Sequence, residues 1–163
     1  MRHVLSILLQ NESGALSRVA SMFSTRGFNI ESLSVAPTDD DRVSRVTLVT
    51  SGTGDVISQI GKQLGKLVDV VAIVDRTGGD HLERELGLVK FAVASGASEP
   101  FRRLVANYGA RILDDHLEHF TIEVTGNERQ VDTFLAAIPP GVRVLSVVRS
   151  GPLVISRGPQ VLF

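Results

Sequence analysis

The stretch Arg76-Thr77-Gly78-Gly79-Asp80 decides how this chain is read. It is polar and glycine-rich, and it separates two apolar, strand-like segments almost at the midpoint of 163 residues. A break there invites comparison of the halves, and both follow the same order of elements. Upstream, Val4 to Leu9 is a short apolar run suited to a central strand. Leu16, Val19, Ala20 and Phe23 share one helical face, and that helix stops at Gly27. Phe28 to Ala36 and Val43 to Thr50 are β-branched segments joined by the loop Pro37 to Asp41. Val56, Ile60, Leu64 and Leu67 mark a second amphipathic helix, and Val70 to Val74 closes the unit as a strand.

Downstream of the break the pattern repeats. Gly87 to Ala94, Arg111 to Asp115, Phe120 to Thr125 and Val142 to Val148 are strands. One helix covers Glu99 to Asn107; Asn127 caps another that ends before Pro139-Pro140-Gly141. Two βαββαβ units predict an α+β protein of two tandem ferredoxin-like domains. Residues 1–76 form the first, 77–83 a linker and 84–163 the second. Right-handed crossovers give antiparallel strands in the order 4-1-3-2 with both helices on one face. Phe28 to Ala36 is then an edge strand, and unprotected edges tend to pair. Its alternation slips phase at Glu31-Ser32, which predicts a bulge or strong twist there.

Composition narrows the function. With 17 basic and 18 acidic side chains the net charge is −1, and each half is balanced by itself. That gives no basic footprint for nucleic acid or for a membrane surface. The longest apolar run is five residues, and the short one after Met1-Arg2-His3 lacks a cleavage site, so a cytoplasmic protein is expected. The absence of Cys removes disulfides, zinc ribbons and thiol nucleophiles.

No catalytic or metal-binding residue emerges. His3, His81, His116 and His119 show no ligand spacing and read as solvated turn residues. Asp39-Asp40-Asp41 lacks the glycine and terminal Glu of a calcium loop. There is no nucleophile elbow and no phosphate-cradling or dinucleotide glycine pattern. The same fold serves RNA-recognition domains, but Val4 to Leu9 and Val43 to Thr50 carry no aromatic residue for stacking bases. Acylphosphatase-like enzymes hold phosphate with a first-loop arginine, and Gln10 to Ala15 has none.

The turn from the first strand into the first helix is the best candidate for binding. A helix N-terminus offers free N–H groups and positive potential to a carboxylate. Gly14 allows close approach, the Asn11 amide can accept and donate, and Leu9, Leu16 and Ile30 can wall an apolar side chain. The simpler reading is that Ser13 caps the helix and Gly14 eases the turn.

Asn11-Glu12-Ser13-Gly14-Ala15-Leu16-Ser17-Arg18-Val19 and Arg26-Gly27-Phe28-Asn29-Ile30-Glu31-Ser32-Leu33 closely resemble the ACT domain of acetolactate synthase small subunits. The similarity continues through Lys66-Leu67-Val68-Asp69-Val70, Arg84-Glu85-Leu86 and Arg149-Ser150-Gly151, and departs from the family in the tail, Arg157 to Phe163. The resemblance implies a non-catalytic regulatory subunit of branched-chain amino-acid biosynthesis. Such a subunit activates a separate large catalytic subunit, which is expected to carry thiamine diphosphate, Mg and FAD, with no cofactor on this chain. It implies a homodimer in which two ACT domains pair side by side into an eight-stranded sheet and bind valine at the seam. Carried onto this chain, the valine-binding residues are Leu9, Asn11, Gly14, Ala15, Leu16, Asn29 and Ile30. An amino-acid-sensing ACT module acting on another target is the alternative; no DNA-binding helix-turn-helix is present to support it.

Overall fold

The computed structural model describes residues 1–159. Elements run β1 (Arg2–Gln10), α1 (Ala15–Thr25), β2 (Ser32–Pro37), β3 (Val43–Ser51), α2 (Gly54–Leu64) and β4 (Val70–Asp75). The second series is β5 (His81–Val93), α3 (Ser98–Asn107), β6 (Arg111–His116), β7 (His119–Gly126), α4 (Glu128–Ala136) and β8 (Val142–Arg149), followed by a short β9 (Leu153–Ser156). The first sheet has the order β2-β3-β1-β4 and the second β6-β7-β5-β8, with every pairing between these strands antiparallel. Both are the ferredoxin-like arrangement anticipated from the pattern of elements.

In the first unit β1 lies between β3 and β4 and is buried along nearly its whole length. Leu5, Ile7 and Leu9 meet Val19, Met22 and Phe23 of α1 and Ile57, Ile60 and Leu64 of α2 in one core. Val4, on the other face of β1, clusters with Val49 and Val154. Burying each such aliphatic side chain contributes roughly 1.5–3 kcal/mol, so two-sided burial makes β1 the anchor of the unit. In the second unit Phe91, Phe101, Phe120 and Phe134 interlock edge to face, with neighbouring ring centroids 4.8–6.2 Å apart. There Asn127 forms a capping box with Gln130 at the start of α4, as its position suggested.

Three details differ from the expectations. Strand β2 starts at Ser32, not Phe28. Phe28 packs against Phe23 with centroids 6.1 Å apart, and Phe28 and Ile30 press on the core, so these residues leave the sheet plane and the phase slip is a strand start. Residues 81–83 extend β5 and are not a free linker, and the chain divides between Leu82 and Glu83. Lastly, β9 groups with the first unit although its residues follow the second, because burial of Val154 against Val4 and Val49 holds it there. Of the divergent tail, residues 160–163 lie outside the described residues.

Candidate functional site

The loop between β1 and α1 is held from several sides. Gln10 N–H donates to the Asp69 carbonyl at 2.8 Å and Asn11 N–H to that of Arg42 at 2.8 Å. The Asn11 side chain donates through Nδ2 to the Asp41 carbonyl at 2.8 Å. Asn11 is therefore pinned to the β2–β3 turn, and its Oδ1 acceptor and second Nδ2 hydrogen remain to meet a ligand. Gly14 is the N-cap of α1, in left-handed conformation with φ of +85°, and no side chain caps the helix. Ser13 is not the cap. With no acidic residue in the first turn, the positive end of α1 stays open to an anion.

Asn11, Gly14, Leu16 and Asn29 are exposed and Ile30 is half-buried. Leu9 and Ala15 lie in the core, each 2 % exposed, and form the floor under the loop. Asn29 is fixed by its backbone: its carbonyl accepts from Thr50 Oγ1 at 2.6 Å, and Glu31 N–H reaches the Val49 carbonyl at 2.8 Å, which frees the Asn29 side chain at the entrance to β2. On β2, Leu33 and Val35 stay more than a third exposed while pairing with the core residues Leu48 and Val46, and among the described residues the far edge of the strand has no partner.

One pair escaped the reading of the sequence. Arg18 donates to Asp69 through Nε at 2.5 Å and Nη2 at 2.7 Å, a two-pronged ion pair joining α1 to the segment before β4. The Asp69 side chain is 6 % exposed. Hydrogen bonds from Arg18 hold its carboxyl below the ordinary carboxylate range against the opposing effect of burial, and the same bonds raise the Arg18 guanidinium. Nη1 of Arg18 lies 2.9 Å from where a Cβ on Gly14 would stand, so the guanidinium roofs the helix start. Both residues lie in stretches that carry the family resemblance, 51 positions apart, and nothing local links them.

His3 also departs from the solvated reading: it is 6 % exposed, with Nδ1 3.1 Å from Thr77 Oγ1, closing the turn after β4. Among the described residues no cluster of His, Cys, Asp or Glu could hold a metal, and no helix is long and apolar enough to cross a membrane.

Residues 5–72 match the family described as AHAS small subunit-like ACT domain, and residues 84–158 match the small subunit of acetolactate synthase. The chain belongs to the acetolactate synthase small-subunit family. Its first unit is thus an ACT domain. The acetolactate synthase small subunit of Haemophilus influenzae is 44% identical over 97% of both chains. The isozyme 3 small subunit of Escherichia coli is 44% identical over 99% of both. A solved structure of the acetolactate synthase small subunit from Thermotoga maritima superposes with a TM-score of 0.87 at 32% identity, covering 97% of this chain and 98% of that one. The resemblance seen in the Asn11–Val19 and Arg26–Leu33 motifs therefore extends over both units.

Proposed function

We propose that this chain is the non-catalytic regulatory subunit of an acetolactate synthase, activating a thiamine-diphosphate-dependent large subunit in the cytoplasm and making it sensitive to valine. The observation that carries the reading is the uncapped start of α1 at Gly14, together with a β2 edge that is unpaired among the described residues. Two copies related by a twofold axis join their β2 strands into one eight-stranded sheet, covering Leu33 and Val35 and satisfying the free edge. The first loop of one protomer then faces the Asn29–Ile30 segment of the other.

Valine places its carboxylate on the N–H groups of Gly14 and Leu16, beside the Ala15 N–H that donates to the Glu12 carbonyl at 3.1 Å, and its ammonium is accepted by Asn11 Oδ1 with help from Asn29. Its isopropyl group rests on Leu16 and Ile30, above the floor of Leu9 and Ala15. A ligand that touches both protomers favours the dimer arrangement it fits best, and a tenfold preference corresponds to about 1.4 kcal/mol. Regulation needs no more than that difference. Calorimetry of valine against the purified chain, with an assay of the large subunit in its presence and absence, tests the reading. Activation together with valine inhibition supports it; a chain that neither binds valine nor raises activity rejects it.

A further inference from the structure

The helix layer of the ACT domain carries a charge that the sequence totals conceal. Helix α1 has no acidic residue, and α2 has only Asp55, in its first turn. Arg18, Arg26 and Lys66 meet at a groove of about 350 Å³ between α1 and the end of α2, together with Ser21, Thr25 and Gln63. Arg18 is matched by Asp69. Arg26 instead takes the neutral Gln63 Oε1 at 2.9 Å, and among the described residues neither Arg26 nor Lys66 meets a carboxylate. The second unit shows that this is not general to the fold: on α3, Arg102 pairs with Asp115 and Arg103 with Glu99.

We propose that the α1–α2 groove is a docking surface for an acidic segment of the catalytic large subunit. The inference rests on the reading that this chain regulates such a subunit. Charge decides the occupant: two uncompensated cations, with hydroxyls and an amide between them and Met22 and Leu67 beside them, suit carboxylate side chains and disfavour a basic segment. Helix dipoles favour one cation at each C-terminus but do not explain why both converge on one acid-free face. Arg18 belongs to both places, with Nη1 over Gly14 and the residue lining the groove. A partner carboxylate at the groove and an effector at Gly14 thus act on the same side chain, giving a short physical route between them.

The test reconstitutes the full chain with its large subunit at about 50 mM salt, and compares wild type with Arg26→Glu/Lys66→Glu and Arg26→Gln/Lys66→Gln. The expected result is that the concentration giving half-maximal activation rises roughly tenfold or more for the charge reversal and less for the neutral pair. Both differences should shrink above about 0.5 M salt, where the Debye length approaches 3–4 Å. Retained melting temperature and valine binding show that the variants are folded. Equal half-activating concentrations for all three proteins overturn the groove as a docking surface. A wild-type chain that never raises activity overturns the functional reading and the groove with it. Calorimetry with inorganic phosphate is the remaining arm: binding lost in the charge reversal, with subunit affinity unchanged, makes the groove a small-anion site and rejects docking.

Discussion

Arg18 and Asp69 form an ion pair that binds the start of α1 to the segment leading into β4, with a largely buried carboxylate and both prongs of the guanidinium engaged. Because the same guanidinium roofs Gly14, the pair sets the shape of the proposed valine loop. Removing the carboxylate leaves Arg18 without its anchor. Asp69→Asn is expected to lower the melting temperature and weaken valine binding together, read by thermal unfolding and calorimetry.

The pair also predicts an acid response. The Asp69 carboxyl is lowered in the folded chain, so its contribution to stability is complete above the unfolded value near 4. It fades as pH falls from there through the folded value. Wild type should therefore lose more stability than Asp69→Asn on acidification from about pH 5 to pH 2, a difference visible in urea midpoints. Parallel pH profiles would count against the ion pair as an acid-sensitive support.

Gly14→Ala tests the helix start. A non-glycine residue at φ of +85° is strained by about 1–3 kcal/mol, and the new Cβ runs into Arg18 Nη1. Valine affinity should fall at least tenfold, because the N–H groups that receive the carboxylate shift with the loop. Unchanged calorimetric affinity would remove Gly14 from the site.

Asn29→Ala separates sensing from activation. The backbone at Asn29 is held by Thr50 through its carbonyl, so truncating the side chain leaves the local path intact. Valine inhibition should weaken while activation of the large subunit survives. Full valine sensitivity in the variant would place the contact elsewhere.

Val154→Ala probes the returning strand β9. Losing two buried carbon groups opposite Val4 and Val49 should cost about 1–2 kcal/mol. The measurement is the urea midpoint of a chain that otherwise keeps its far-UV spectrum. An unchanged midpoint would show that β9 adds nothing to the first unit.

The spacing of Leu16, Val19 and Phe23, the apolar run from Val4 and the break at Arg76 to Asp80 were enough to predict two ferredoxin-like units and their strand order. These are local signals: side-chain period and turn chemistry act within a few residues, and antiparallel pairing with right-handed crossovers leaves one arrangement. The loop around Gly14 likewise stands out along the chain as a candidate binding turn, whereas Asn29 enters only through the family resemblance. The start of β2 at Ser32 was decided by packing of Phe28 and Ile30, which outweighs the β preference of that segment. Burial of Leu9 and Ala15 beneath the loop, the Arg18–Asp69 pair, the return of β9 and the acid-free groove between α1 and α2 exist only once distant segments meet. Periodicity is written residue by residue, whereas a salt bridge across 51 positions or an unmatched charge is a property of neighbours that only the folded chain supplies.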